Sequence, residues 1–478
     1  MNDMKNFKRL LAAAGLALIC VSTTAQPERL HTKWPLQFEI PDDDGILSIK
    51  QKPFDVNGFV IGRDLHVNRF IDQQRGLELM AECFFNWADC SDGAKQDLEL
   101  CEKLGLSVVV ASAESGRKGR HVEGGEWIKM SDQEIDAYVK RMIDQGGNSK
   151  AIVGYHIVDE PSALAFPKLA VAVSALRKYA PGKLAPINLY PNYATLWTLD
   201  QVKSQIGTRT YKEYLEQYAE IVKPDIICYD NYMVQISMDQ QDRRRMAQHY
   251  TNIMDVREAA LKHNIPWWNV VSSNQVRQHT VIPTISNMML QAYTSLAAGA
   301  GGIRWYTYYQ AGYDYAPINE KEQRTNTWYM LREVNRHLSI LGPMIKSLKS
   351  TGVYFTDPTI DPSLPVLPGK IVTGVECSEP LMIGEFESVK GNRYVMVVNI
   401  SLEHSARFVL KTNIDNERLF YVSTGEDTPY FREIITSESR GATQVNSDEQ
   451  KALSKQKAYW LPAGYGLLIK CSGIIADK

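Results

Sequence analysis

Short apolar runs alternate with amphipathic stretches between residues 57 and 345. Eight runs have the length and composition of buried strands: Gly58–Gly62, Leu79–Phe85, Ser107–Ala113, Ile152–Val158, Ala185–Leu189, Ile226–Tyr232, Trp267–Val271 and Gly302–Tyr308. Most precede a stretch with apolar residues at helical spacing: Ala94–Leu104, Asp132–Ile143, Pro167–Tyr179, Tyr211–Val222, Arg245–His263, Ile285–Ala298 and Thr325–Leu341. Ser131 and Glu134 also form a capping-box pattern at the start of the second of these helices.

Eight strand-then-helix units predict a closed parallel sheet, because strands buried on both faces read as continuous apolar runs. A doubly wound open sheet is the alternative. That fold favours a glycine-rich phosphate loop after an early strand, and the sequence has none there. We therefore expect an α/β protein in which residues 57–349 form a (β/α)8 TIM barrel.

Helical periodicity stops near residue 350, and short alternating runs follow. The predicted strands are Val353–Thr356, Leu381–Val389, Arg393–Ile400, Arg407–Leu410, Leu419–Ser423 and Gly464–Lys470. Turn signals such as Lys390-Gly391-Asn392 separate them. The pattern predicts a C-terminal antiparallel β-sandwich over residues 350–478.

The N-terminus has the order of a secretory signal. Lys5, Lys8 and Arg9 precede the apolar stretch Leu10–Val21, and small residues follow up to Ala25. We expect cleavage near Ala25, periplasmic or secreted localisation, and an N-terminal extension over residues 26–56. Lipidation at Cys20 is the alternative, although Ile19 stands where a small residue is expected.

Composition narrows the range of partners. The formal net charge is −2, so there is no basic excess to attract nucleic acid. The seven cysteines match no zinc-binding spacing, and no metal or other cofactor is predicted. After the signal, no apolar run reaches the roughly 20 residues of a membrane span.

Candidate chemistry lies where the predicted barrel strands end, because the loops of a (β/α)8 barrel converge there. The fourth strand ends in His156-Ile157-Val158-Asp159-Glu160-Pro161. Two adjacent carboxylates raise the pKa of one of them, and a raised pKa suits a general acid for glycoside cleavage. The alternative is that the pair only caps the following helix, with Pro161 in its first turn.

Asp159-Glu160-Pro161 resembles the Asn-Glu-Pro motif that ends strand four in clan A glycoside hydrolases. The resemblance implies a (β/α)8 barrel with Glu160 as the acid/base residue. It extends to the appended domain, where Trp460–Gly466 resembles the last strand of such domains. Clan A enzymes also carry a nucleophilic Glu at the end of strand seven, but Trp267–Gln275 contains no acid.

The second functional group must then come from elsewhere, and Glu82, Glu114, Asp230 and Asp314 also lie near predicted strand ends. Asp230 lies in Ile227–Tyr232, which is similar to the Met-x-Tyr-Asp motif of chitinase-like family 18 enzymes. That similarity implies a substrate-assisted route in which the 2-acetamido group of the sugar attacks. Asp159 and Glu160 would be the orienting residue and the acid, with Tyr229 or Asp230 holding the intermediate.

Aromatic residues near strand ends predict a sugar-binding surface, since flat sugar faces stack on such rings. They include Trp87, Tyr190, Trp305 and Tyr306, and about half of the aromatic set is expected to be barrel core. His156 is expected to point into the barrel near the acids. It is assigned either to substrate binding or to the core.

These observations favour a glycoside hydrolase that acts on an extracellular oligosaccharide or polysaccharide. Glu160 is the predicted general acid/base, with Asp159 and Asp230 as further catalytic candidates. A catalytically silent carbohydrate-binding barrel and an N-acetylhexosaminidase-type hydrolase remain as alternatives.

Overall fold

The computed structural model describes residues 52–63, 70, 72–90, 94–110, 124–195, 204–309, 312–426, 429–436 and 447–475. The signal sequence, most of the predicted N-terminal extension and Glu114 lie outside these ranges. In the described part of the chain, no helix is long and apolar enough to cross a membrane.

Parallel strands form the first sheet, and its strand order is β4-β3-β2-β1-β9-β8-β7-β6-β5. The strands are β1 Val60–Arg63, β2 Trp87–Cys90, β3 Ser107–Val110, β4 Ile152–Tyr155, β5 Val158–Asp159, β6 Ile187–Leu189, β7 Ile227–Asp230, β8 Trp267–Ser272 and β9 Gly302–Tyr306. Side chains alternate between an interior cluster that includes Val60, Cys228 and Val270 and an outer layer packed on the helices.

The two strands at the ends of this order are halves of the fourth barrel strand. The break falls at His156-Ile157, where the backbone N–H of His156 donates to Val110 O at 2.9 Å. The N–H of Ile157 donates in the other direction, to Pro186 O at 3.1 Å. The strand therefore bonds to neighbours on both sides, and the sheet closes into the predicted (β/α)8 barrel.

Helices surround the barrel. They are α1 Gln73–Glu82, α2 Lys95–Leu104, α3 Gly124–Lys129, α4 Asp132–Gly146, α5 Phe166–Tyr179, α6 Tyr211–Gln217, α7 Met246–His263, α8 Ile285–Ala297 and α9 Asn326–Ser347. A π-helical turn over Tyr218–Val222 extends α6. The predicted capping box is present, since Ser131 Oγ accepts from Glu134 N–H and the Glu134 carboxylate accepts from Ser131 N–H.

The predicted second strand, Leu79–Phe85, is wrong. Residues up to Glu82 belong to α1, which begins after Asp72, whose side chain accepts from the N–H of Arg75. Leu77, Leu79 and Met80 are buried on one side of this helix, so the apolar run is a helix face. The true second strand begins at Trp87.

The C-terminal part contains two antiparallel sheets, as predicted. The larger has the order β10-β12-β13-β18-β15-β16 and the smaller the order β11-β14-β17. Their strands are β10 Lys349–Phe355, β11 Val372–Cys377, β12 Leu381–Glu387, β13 Arg393–Asn399, β14 Ala406–Thr412, β15 Ile414–Val422, β16 Phe431–Glu433, β17 Tyr459–Leu461 and β18 Gly466–Ile475, with helix α10 Asp448–Ser454 between β16 and β17.

The larger sheet is buried on both faces. Leu381 and Ile383 face the smaller sheet, whereas Met382 and Phe386 join the core shared with the barrel. Gly384 lies on the barrel side, where an added Cβ would stand 2.1 Å from the carbonyl oxygen of Ala297 in α8. This glycine therefore allows the close approach of helix and sheet.

Candidate active site

Asp159 and Glu160 end the fourth barrel strand in different local conformations. Asp159 pairs with Asn188 of β6, and Asn188 Nδ2 donates to Asp159 Oδ1 at 3.0 Å. Glu160 has a φ of 43°, in the left-handed region, and its N–H donates to Asn188 O at 2.8 Å. A non-glycine residue in this region costs roughly 1–3 kcal/mol, and such strain concentrates at functional sites. Both side chains are half-buried.

A buried tyrosine holds the turn that follows Glu160. The hydroxyl of Tyr214, in α6, donates to the carbonyl oxygen of Pro161 at 2.6 Å. The backbone N–H of Tyr190 interacts with the same phenol, so Tyr214 joins the loops that follow strands four and five. Burial raises the pKa of the Tyr214 phenol well above its usual value, which keeps the hydroxyl protonated as a donor.

Besides burial, the negative charges of Asp230 and Glu160 both raise the pKa of one phenol, that of Tyr193. Asp230 is the last residue of β7 and is 5% exposed. Burial is the main cause that raises the pKa of the half-buried Tyr193 phenol, and the charges of Asp230 and Glu160 raise it further. The backbone N–H of Tyr232 lowers that pKa by hydrogen bonding to the phenol. The charges at the ends of strands four and six therefore both act on Tyr193, a residue that no strand-end pattern in the sequence points to.

Three half-buried tyrosines form an aromatic surface near strand eight. The ring centroids of Tyr232 and Tyr306 are 5.3 Å apart, and those of Tyr306 and Tyr313 are 5.4 Å apart. The hydroxyl of Tyr306 donates to that of Tyr313 at 2.6 Å. Rings with polar edges in a partly open position are suited to stack on a sugar.

The end of strand seven is a buried network of neutral side chains. Ser272 Oγ donates to Asn274 Oδ1 at 2.9 Å, and the backbone of Ser272 exchanges hydrogen bonds with the Gln291 side chain at 3.0 Å. Ser273 Oγ donates to Thr307 O at 3.2 Å. All four side chains from Ser272 to Gln275 are buried, and none is a carboxylate. The strand-seven nucleophile of a retaining clan A enzyme has no counterpart here.

Three aromatic residues predicted to bind substrate lie in the core instead. Trp87 begins its strand, 1% exposed, with its ring centroid 5.2 Å from that of Trp268 inside the barrel. Tyr229 points out of the barrel, where its ring centroid lies 6.1 Å from that of Trp267. Trp305 also points outward, and its Nε1 donates to Asn335 Oδ1 of α9 at 2.8 Å.

Of the other candidates, Glu82 ends helix α1 and not a strand, Asp314 lies in the loop after strand eight beside Gln275, and Glu114 is outside the described ranges. His156 is 5% exposed and lies at the break in strand four. Tyr190 is half-buried, directly after β6. Among the described residues, no group of three or more His, Cys, Asp or Glu side chains is arranged to hold a metal ion.

Comparisons with solved structures identify the fold. A GH42 β-galactosidase from G. stearothermophilus matches 87% of this chain and 98% of its own, with 9% identity and a TM-score of 0.56. A β-galactosidase from Rahnella sp. R3 matches 62% of this chain at 13% identity, with a TM-score of 0.47. This match spans only 58% of the Rahnella chain. A GH5_18 protein from Streptomyces cattleya matches 59% of this chain and 80% of its own, at 14% identity and a TM-score of 0.42.

No protein-family model matches the sequence, and no curated protein matches it either. The match to the GH42 enzyme spans 87% of this chain, which is long enough to include the barrel and part of the C-terminal β domain. At these identities the likeness shows the fold, which is that of a (β/α)8 glycosidase followed by a β-sandwich.

Proposed function

We propose that this protein is an exported glycoside hydrolase in which Glu160 is the general acid/base. The observation that supports the proposal is the position of Glu160 and Asp230 at the ends of strands four and six of one barrel, with Glu160 in a left-handed conformation bonded to Asn188 O. Most glycoside hydrolases use two carboxylates at one site. One protonates the leaving oxygen, and the other assists attack at the anomeric carbon. Tyr232, Tyr306 and Tyr313 would bind the sugar beside them.

Asp230 is proposed as the second carboxylate. Strand seven offers only buried hydroxyls and amides, and these cannot replace a carboxylate against an oxocarbenium-like transition state. Asp230 would act either as the base that activates water or, in a substrate-assisted route, as a group that holds the reacting 2-acetamido group. Asp159 is fixed by Asn188 and would support the orientation of that group.

One pair of substrates separates these two routes. Asp159→Asn and Asp230→Asn are assayed on a 2-acetamido glycoside and on its 2-hydroxy counterpart. The substrate-assisted route predicts turnover of the 2-acetamido sugar and a severe loss in both variants, greater than the loss in Glu114→Gln. Activity on the 2-hydroxy sugar alone, with Asp159→Asn nearly normal and Glu114→Gln inactive, would refute it and move the base or nucleophile to Glu114.

Hydrolysis itself is tested on a panel of defined oligosaccharides with Glu160→Gln. Loss of a general acid lowers turnover by about 10²–10⁴-fold, and this variant should keep its fold because it preserves the shape of the side chain. Glu99→Gln is the matched control, since Glu99 lies on α2 with its side chain 61% exposed and should keep full activity. Equal activity in all three proteins would remove Glu160 from the chemistry.

A carbohydrate-binding protein without catalysis is the second candidate. The neutral, buried end of strand seven favours it, because this is the position at which clan A enzymes carry their nucleophile. Binding without turnover would appear as saturable heat of binding by calorimetry with no release of product. Tyr306→Ala should weaken that binding.

A further inference from the structure

Three asparagines connect the loops after strands five and six to a single turn of helix α7. We call Asn192, Asn231 and Asn252 the asparagine clasp. Asn252 Oδ1 accepts two hydrogen bonds, from the backbone N–H of Asn192 at 3.1 Å and from Asn231 Nδ2 at 3.0 Å. Asn231 and Asn252 have no exposed surface. The single oxygen of Asn252 therefore joins two loops that are distant in sequence.

Further bonds in the same turn strengthen this connection. Asn192 Nδ2 donates to Thr251 Oγ1 at 3.0 Å and approaches Gln248 O at 3.5 Å. Asn231 Nδ2 lies 3.4 Å from the same carbonyl oxygen of Gln248. The backbone N–H of Asn231 donates to Val270 O at 3.0 Å, which fixes this residue to strand seven. Both loops are thus held against the residues from Gln248 to Asn252.

Two residues of the candidate active site are direct sequence neighbours of the clasp asparagines. Tyr193 comes directly after Asn192, and Asp230 comes directly before Asn231. Besides burial, the charges of Asp230 and Glu160 raise the pKa of the Tyr193 phenol, and the backbone of Tyr232 hydrogen-bonds to it. A displacement of either loop would therefore change the distance between the phenol and the carboxylates.

We infer that Asn252 is a positioning residue, which sets the geometry of Tyr193 and Asp230 from the outer helix layer without touching substrate. This inference rests on the proposed function for its effect on turnover. Loss of the Asn252 oxygen would leave the Asn192 N–H and the buried Asn231 Nδ2 without this acceptor, and the loops would move or open to reach water. A shift of about 1 Å in catalytic groups costs about 10²-fold in rate.

Asn252→Leu tests the inference because leucine has the same number and branching of side-chain heavy atoms, favours a helix, and has no hydrogen-bonding atom. Asn335→Leu is the matched control. Asn335 is also a fully buried helix residue, whose Oδ1 accepts from Trp305 Nε1 at 2.8 Å and whose Nδ2 donates to Cys83 O at 2.9 Å. It joins α9 to the outer side of the barrel, remote from Tyr193.

The expected result for Asn252→Leu is a loss of about 10²-fold in kcat with little change in KM. KM should change less than kcat, because the clasp anchors only Tyr232 of the aromatic surface, whereas Tyr306 and Tyr313 belong to strand eight and its loop. Asn335→Leu should lose stability without this loss of kcat. An equal fall of kcat in both variants would show that Asn252 has only a structural role, and would overturn the inference.

Hydrogen–deuterium exchange provides a readout that needs no activity. Asn252→Leu should accelerate amide exchange over residues 187–195 and 230–235, and Asn335→Leu should not. Unchanged exchange in both segments would overturn the inference. Should Asn252→Leu fail to fold, Thr251→Val removes the nearer acceptor of Asn192 Nδ2 and should accelerate exchange in the first segment alone.

Failure of the proposed function would be seen separately. In that case the unmodified protein would cleave no glycoside, whereas the exchange measurement would still decide whether Asn252 holds the two loops.

Discussion

Lys346 should give the barrel a pH-dependent stability. This lysine lies in the last turn of α9, 2% exposed, and its Nζ donates to Gly58 O at 2.7 Å. Burial lowers its pKa from 10.5 to about 7, although the charge of Asp55 raises it in part. Gly58 precedes β1, so the amine lies at the end of the barrel opposite Glu160.

The direction of the effect follows from proton binding. Between pH 7 and 10.5 the unfolded chain holds the lysine proton and the folded chain does not, so folding becomes more favourable as the pH rises. Below pH 7 both states are protonated and the full cost of burying the charge is present. A pKa that falls from 10.5 to about 7 corresponds to a cost on the order of 5 kcal/mol.

Lys346→Met removes this titration while keeping a long, flexible side chain. The free energy of unfolding is measured by chemical denaturation of both proteins from pH 6 to pH 9. Over that interval the unmodified protein should gain on the order of 3 kcal/mol relative to the variant. The lost bond to Gly58 O adds a constant that does not vary with pH. Parallel stability curves would refute the assignment of a lowered pKa to Lys346.

Two further predictions concern packing. Gly384→Ala should lower the stability of the interface between α8 and the β-sandwich by about 1–3 kcal/mol, because its Cβ would meet Ala297 O at 2.1 Å. Gly425→Ala has no atom within 4 Å of its new Cβ and should leave the melting temperature unchanged, so equal melting of the two variants would contradict this interpretation. Tyr306→Ala should raise KM, whereas Trp87→Phe should lower the melting temperature and leave KM unchanged. The reverse pattern in steady-state kinetics would place substrate at Trp87.

The barrel was predictable from local sequence because strands buried on both faces are continuous apolar runs. The second strand is not predictable in this way, because a helix with a buried apolar face precedes it. Leu77, Leu79, Met80 and Cys83 form that apolar group, which resembles the short apolar run of a buried strand. In the sandwich, the short strand Phe431–Glu433 has few buried residues and no distinct signal. Trp460–Gly466 is not the last strand: Trp460 and Leu461 belong to β17, and the last strand begins at Gly466.

The candidate carboxylates could be found because each stands at a strand end in the sequence. The assignment of Tyr229 to the substrate is wrong, and strand alternation indicates why, since neighbouring residues of a strand point to opposite faces and Asp230 is assigned to the mouth. Tyr193 and Asn252 were not accessible in this way. Their roles depend on hydrogen bonds and charges between loops and a helix that are up to 60 residues apart.

The role of Glu160 is tested most directly with a series of aryl glycosides whose leaving groups differ in acidity. Glu160→Gln should lower kcat/KM by about 10²–10⁴-fold for poorly acidic leaving groups. The same variant should approach the unmodified protein for dinitrophenyl glycosides, whose leaving group departs without protonation. A uniform loss across the whole series would contradict the assignment of Glu160 as the general acid.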